Sequence, residues 1–303
     1  MAITAQDVKN LREMTGCGMM DCKKALAASE GDMDKAIEWL RETGLAASAK
    51  KAGRIAAEGM AYACVVDGIG VAVEVNAETD FVGKNEKFVD FVKGVANTVA
   101  KCNPADLDAL MECKYDGTDL TVLQQQQEMV LVIGENIKVR RFARFEGGFS
   151  VPYIHAGGKI GVLVNLEVTG GIDATEIGKD MAMQIAALNP RFWDKSQVTQ
   201  DVLDEEKKIM LAQMANDPKM ASKPDQVKEK IVLGKLNKFY SENCLLQQAF
   251  VKDGDMTVEQ YMNSAAKTLG GTVKFLDAVR FEKGEGIEKK QENFAEEIAK
   301  LAK

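Results

Sequence analysis

Val71, Val73 and Val75 alternate with Ala72 and Glu74, and this period of two predicts a half-buried strand that closes at Asn76-Ala77-Glu78. The chain then breaks into Thr79-Asp80-Phe81-Val82-Gly83-Lys84. An apolar Phe-Val pair beside an acid, past a strand end and before a glycine, reads as a loop whose tip could reach a partner. Phe81 has two readings, packed inward or exposed at that tip.

Ahead of this strand the apolar spacing is helical. Thr4 followed by Asp7 starts a first helix with Val8, Leu11 and Met14 on one stripe, stopped by Thr15-Gly16-Cys17-Gly18. A second helix runs from Met19 to Ser29. Asp32 caps a third, on which Met33, Ala36, Ile37 and Leu40 share a face, and Gly44 is expected to close it. So small a core is marginal alone and should dock on something. Residues 46–57 read as an Ala-rich helical connector whose Lys50, Lys51 and Arg54 form either a solvated face or a contact.

From Gly59 onward the patterns recur. Ile69-Gly70-Val71 returns as Ile160-Gly161-Val162, Asn103-Pro104 as Asn189-Pro190, Thr121-Val122 as Thr257-Val258, and Arg144-Phe145-Glu146 as Arg280-Phe281-Glu282. Two copies of one α+β unit are expected, each a hairpin, a helix, a second helical region and a closing strand, with antiparallel sheets covered by helices. The offset of 91 residues at Ile-Gly-Val falls to 86 at Asn-Pro, which assigns extra length to the 78–85 loop of the first copy. It rises to 136 at Arg-Phe-Glu, which assigns an insertion at about 195–251 to the second. Helical periodicity at 201–216 and 225–246, joined across Pro218 and Pro224, makes that insertion a helix pair.

Gly284-Glu285-Gly286 reads as a hinge, and Phe294, Ile298 and Leu301 share one face of an amphipathic C-terminal arm. The expected division is a three-helix domain at 1–45, a basic helical linker at 46–58, core subdomains at 59–149 and 150–285, and a helical module at 286–303.

Composition narrows the chemistry. A formal charge of -7 over 303 residues argues against a nucleic-acid partner gripped through phosphates, so the expected partner is protein. No secretory segment opens the chain and no apolar run spans a bilayer, so the expected location is the cytoplasm. Six cysteines without a C-x-x-C pair, and a single histidine, make no zinc set; reduced, mostly buried thiols are expected. One histidine leaves almost no general acid-base pairing, and there is no P-loop or dinucleotide fingerprint. The chain is not expected to be an enzyme or to hold a cofactor. Met19 and Met20 are neighbours on a helix and point about 100° apart, so one should be exposed as a contact. His155 reads as a strand residue, structural or contacting.

Leu11-Arg12-Glu13, Thr15-Gly16-Cys17-Gly18-Met19-Met20-Asp21-Cys22-Lys23-Lys24-Ala25-Leu26, Glu74-Val75-Asn76 with Thr79-Asp80-Phe81-Val82, Ile133-Gly134-Glu135-Asn136 and Ile160-Gly161-Val162 together resemble the bacterial elongation factor Ts family over the whole chain. The resemblance implies a guanine-nucleotide exchange factor for elongation factor Tu, with a ubiquitin-associated-type N-terminal fold. It implies partner contacts at Arg12, Met19, Met20, Lys23, Lys51, Ile133, Gly134 and His155. It also implies a wedge made by Asp80 and Phe81, flanked by Thr79 and Val82, beside the magnesium and phosphate site of the GTPase. Where Gln184 stands many members have histidine, so no role carries over there, and the insertion carries no oligomeric state. The competing reading is a non-catalytic chaperone or assembly subunit that would not use the tip loop.

Overall fold

The structure is a computed structural model that describes residues 3–288. The N-terminal helices are α1 (Ala5–Thr15), α2 (Met19–Ala28) and α3 (Met33–Lys51). Thr4 and Asp7 form a reciprocal capping box on α1, and Gly16, at φ 70°, ends it. Leu11, Cys22, Ala25, Leu26, Ala36 and Leu40 make the buried centre, which Leu131 and Val132 of a later helix complete. Gly44 does not end α3. It is buried where α3 crosses that later helix, and a Cβ there would sit 3.5 Å from Leu131. Close packing compensates the roughly 1 kcal/mol that glycine costs inside a helix. Residues to Lys51 of the expected connector therefore belong to α3.

The first sheet is built from β1 (Glu58–Val66), β2 (Ile69–Ala77) and β3 (Lys138–Phe145), antiparallel in that order. Between β2 and β3 lie α4 (Glu86–Cys102), α5 (Leu107–Glu112) and α6 (Val122–Ile133). The second sheet pairs β4 (Phe149–His155) with β5 (Ile160–Thr169), and β5 with the last strand, Thr272–Glu282. After β5 come α7 (Thr175–Leu188), α8 (Gln200–Asn216), α9 (Pro218–Ala221) and α10 (Asp225–Asn243). A short hairpin, β6 (Ala249–Phe250) with β7 (Asp253–Thr257), then leads into α11 (Val258–Thr268) and β8 (Thr272–Glu282). Mixed helices and antiparallel sheets make this an α+β protein.

The two sheets have matching irregularities. Each central strand carries a register shift, at Glu74/Val75 in β2 and at Asn165/Leu166 in β5. Asn103 and Asn189, at φ 47° and 44°, end α4 and α7 in the left-handed region that asparagine tolerates. Capping boxes of Thr121 with Gln124 and Thr257 with Gln260 open α6 and α11.

β2 is not half-buried, as its alternation predicts; it is buried along nearly its whole length. Val71, Val73 and Val75 join the core under α4, which Phe88, Phe91, Val92 and Val95 fill. On the other face the sheets pack on each other through Ala63, Ala72 and Leu163, bordered by Phe145, Val279 and Phe281. Small residues make that approach possible: a Cβ on Gly161 would lie 3.0 Å from the Ala61 carbonyl carbon.

The insertion forms helices as expected, α8 and α10 packing through Met210, Met214, Val232, Leu236 and Phe239. Its return to the core is tied down by Gln184, fully buried in α7. The Gln184 amide donates to Gln248 Oε1 (3.1 Å) and Ala249 O (3.0 Å), and its oxygen accepts from Val251 N (2.8 Å). Not all the extra length before Asn103 sits in the 78–85 loop, because α4 has 17 residues and α7 has 14. The proposed arm with Phe294, Ile298 and Leu301 lies outside the described residues.

A candidate protein-contact surface around the Asp80–Phe81 loop

The loop after β2 combines a pinned base with an exposed tip. Val82 is buried in the first core and opens a single 3-10 turn, Val82–Lys84. Asn85 then caps α4, its Oδ1 accepting from the Lys87 and Phe88 amides. A Cβ on Gly83 would lie 2.8 Å from the Gly59 carbonyl, so the turn rests directly on β1. Phe81, the preceding residue, is 81% exposed, and Asp80 beside it is exposed as well. Of the two readings of Phe81, the exposed one holds. Burying a phenylalanine is worth roughly 1.5–3 kcal/mol, so a protein that leaves one out while burying its neighbour forgoes that gain at this spot.

Hydrogen bonds tie the base of the loop to the segment that follows α6. The Thr79 amide donates to Glu135 Oε2 (3.0 Å) and its hydroxyl to Glu135 Oε1 (2.7 Å). In return the Asn136 amide donates to Glu78 Oε1 (2.6 Å), and Asn136 Nδ2 donates to the Arg54 carbonyl (2.8 Å). Arg54 Nη1 lies 3.4 Å from Glu78 Oε1. Three chain segments are thereby joined: the end of α3 near half-buried Lys51, the loop at Thr79–Val82, and the α6 C-terminus. At the last of these, Gly134 at φ 87° is exposed beside half-buried Ile133.

His155 is exposed at the end of β4, with Tyr153 Oη 3.0 Å from its Nδ1. The hairpin turn that follows docks on β1: the Ala61 amide donates to Gly158 O at 2.8 Å. β1 thus touches both the turn after His155, through Ala61, and the 3-10 turn after Phe81, through Gly59.

Arg12, Met19, Met20 and Lys23 are all exposed on α1 and α2. Both methionines are open, at 58% and 62%, instead of one. Cys22, Ala25 and Leu26 supply the buried face of α2, and Met19 and Met20 at its start lie outside that face. The α1–α2 turn nears the loop's helix, since a Cβ on Gly16 would meet Lys87 Nζ.

Residue-by-residue reading names Arg54, Glu78, Glu135 and Asn136 but does not bring them together at the loop. The visible signal was the polar pair Glu135-Asn136 straight after a helix-ending glycine, a place where side chains commonly bond to a neighbouring backbone.

Behind the loop, Glu74 of β2 is fully buried yet ionically satisfied. It accepts from Arg140 Nη1 (2.9 Å), Arg141 Nε (2.5 Å), Asn76 Nδ2 (3.0 Å) and the Gly284 amide (2.8 Å). Burial pushes its carboxyl pKa up, but these donors outweigh burial and hold it below the ordinary value. Gly284-Glu285-Gly286 is thus a fastened turn, not the hinge expected of it, and Glu285 itself pairs with Arg141 at 3.0 Å.

The thiols are free but only half of them are buried. Cys17, Cys22 and Cys244 are enclosed, Cys64 and Cys113 are half-buried, and Cys102, the last residue of α4, is exposed. Among the described residues no group of three or more His, Cys, Asp or Glu side chains is placed to hold a metal ion. No helix among them is long and apolar enough to cross a membrane.

Comparison with known proteins agrees with the resemblance. The family model described as Elongation factor TS matches residues 78–285. The Elongation factor Ts of Clostridium perfringens (strain SM101 / Type A) is 50% identical to this chain, with 99% of each covered. Those of Clostridium kluyveri (strain ATCC 8527 / DSM 555 / NBRC 12016 / NCIMB 10680 / K1) and Syntrophotalea carbinolica (strain DSM 2380 / NBRC 103641 / GraBd1) are 48% and 45% identical, covering 98% and 100% of each chain. With a family model over most of its length and relatives of near-equal extent, the chain belongs to the elongation factor Ts family.

Proposed function

We propose that this chain binds elongation factor Tu in the cytoplasm and promotes GDP release during translation elongation, using the Asp80–Phe81 loop as a wedge near the magnesium and phosphate site of the GTPase. Members of the family are exchange factors and not enzymes of covalent chemistry, so no bond is made or broken by this chain. The observation that carries the proposal is the contrast at adjacent positions: Val82 fixed in the core, Phe81 held 81% exposed.

An exchange factor works by linkage. It must bind the nucleotide-free GTPase more tightly than the loaded form, and the nucleotide then weakens the factor by the same factor. Phe81 supplies such a difference if its pocket opens only when the switch region has moved. Truncating a central buried anchor of this kind costs about 2 kcal/mol or more. Asp80 adds a negative charge where phosphate oxygens and a magnesium ion compete. Arg12, Met19, Met20 and Lys23 on the first two helices, with Lys51, Ile133, Gly134 and His155, supply the remaining contacts in this reading. The flexible thioethers of Met19 and Met20 suit such a surface.

The same reading takes the three-helix unit as ubiquitin-associated-like and the two sheets as copies of one duplicated unit. The matching bulges, asparagine caps and capping boxes support the duplication. Neither nucleic acid nor a membrane is needed as a direct partner.

The test is release of a fluorescent GDP analogue from elongation factor Tu, with the parent and with Phe81→Ala. The expected result is acceleration by the parent and a loss of about tenfold or more in the variant, a ~1.4 kcal/mol effect. A parent that binds elongation factor Tu without accelerating release would be a chaperone or assembly subunit. Equal acceleration by both proteins would remove the wedge and leave exchange standing.

A further inference from the structure

We infer that Glu135, together with Glu78, is a positioning residue for exchange: a two-carboxylate clasp that sets the Asp80–Phe81 tip and the Ile133–Gly134 corner as one preformed surface. The inference rests on the exchange reading above and extends it to residues outside its expected contact set.

The geometry is reciprocal. Glu135 follows the αL glycine that ends α6 and accepts both the amide and the hydroxyl of Thr79, one on each carboxylate oxygen. Glu78, adjacent to Thr79, accepts the amide of Asn136, adjacent to Glu135. Two segments nearly sixty residues apart therefore exchange charge-assisted hydrogen bonds in both directions. Asn136 Nδ2 extends the clasp to the Arg54 carbonyl after α3. On the far side of the tip, Val82 and the Asn85 cap fix the chain into α4. Only Asp80 and Phe81 lie between the two anchors, so their backbone has little freedom left.

That arrangement bears on exchange and not merely on stability. A tip that wandered would have to be ordered as it docks, and ordering its backbone costs conformational entropy. A clasp removes that cost in advance, which is how preorganisation raises affinity. Because Glu135 is half-buried and outside both cores, its removal should loosen the tip far more than it lowers global stability.

Three proteins decide the matter: the parent, Glu135→Ala and Glu135→Gln, each read by fluorescent GDP release from elongation factor Tu, by thermal melting, and by amide hydrogen exchange of the 79–82 segment in the free protein. Glutamine keeps the clasp without charge, its oxygen accepting the Thr79 amide and its NH2 donating to the hydroxyl. Glu135→Ala should lose protection at 79–82 and need about tenfold more protein to reach half-maximal release, with a melting temperature close to the parent's. Glu135→Gln should stay within about threefold of the parent in both. Unchanged protection and unchanged release in Glu135→Ala would overturn the clasp while leaving exchange intact. Equal losses in the alanine and glutamine variants would also overturn it, because charge and not tip geometry would then matter. If the parent fails to accelerate release, the exchange reading fails instead, and the hydrogen-exchange result still reports whether the clasp holds the tip.

Discussion

The amide of Gly284 donates to the carboxylate of Glu74 at 2.8 Å, joining positions 210 residues apart. A fully buried glutamate thereby fastens the end of β8 to the centre of the first sheet. Arg140 and Arg141 complete it from β3, and Arg141 Nη2 continues to Glu285 at 3.0 Å. Gly284, at φ 72°, has its Cα so close to the Ala57 carbonyl that any Cβ would overlap it. The junction is specified by charge, by backbone conformation and by space together.

Glu74→Ala should therefore be among the more damaging single substitutions. It removes the buried acceptor shared by Arg140, Arg141, Asn76 and the Gly284 amide, while the partly exposed arginines keep their bonds to Glu282 and Glu285. Losing such charge-assisted bonds costs about 1–3 kcal/mol. The check is the urea midpoint followed by circular dichroism. An unfolding free energy, from the midpoint and slope, within about 0.5 kcal/mol of the parent's, a bound typical of surface changes, would show that water or rearrangement satisfies the arginines.

Acid should weaken the same junction. Glu74 is held below its ordinary carboxyl value in the folded protein. Its stabilisation is thus fully present above the unfolded value, near pH 4.3, and is lost as pH falls through the depressed folded value. The stability gap between the parent and Glu74→Gln should be constant from about pH 7 to 5 and narrow below about pH 4. A gap that widened on acidification would contradict the direction of the shift.

Phe81→Ala and Val82→Ala should separate function from stability at neighbouring positions. Phe81 touches little in the free protein, so its truncation should move stability by less than about 0.5 kcal/mol. Val82 is 5% exposed within the first core, and losing its methyls should cost about 1 kcal/mol or more. Thermal melting of the two variants checks this, and a larger loss in Phe81→Ala would mean that its ring packs in solution.

Thiol labelling should be dominated by one cysteine. Cys102 is exposed, whereas burial pushes the Cys64 and Cys244 thiols up to about 11. Burial and then a hydrogen bond with Cys102 push Cys113 up to about 11 too. Burial likewise raises Cys17 and Cys22. An aromatic disulfide reagent at pH 8 should show one fast equivalent in the native protein, absent from Cys102→Ser. A fast phase that survives that substitution would point to local opening around another thiol.

Much of the helical content was legible because its signals are local. Thr4 with Asp7, Asp32 and Thr121 announce helix starts by bonding to backbone within four residues, and Gly16 and Gly134 announce ends by a left-handed φ. The Ile-Gly-Val and Asn-Pro pairs likewise marked strands and caps that occupy equivalent places in the two sheets. Gly44 misled because glycine carries two meanings, helix end and close packing, and only the presence of α6 against α3 selects the second.

For the candidate site, the sequence by itself determined that a strand ends at Ala77 and that an Asp-Phe pair follows. Those facts depend on neighbours along the chain. Tertiary structure alone decided that Phe81 faces outward while Val82 faces inward, that Glu135 reaches Thr79, and that β2 is buried on both faces with Glu74 charged at its centre. Alternation along β2 could not reveal the second face, because what covers it is another sheet contributed by residues beyond 148. A carboxylate in a strand reads as solvent-facing until the arginines and the Gly284 amide that neutralise it are brought together by folding.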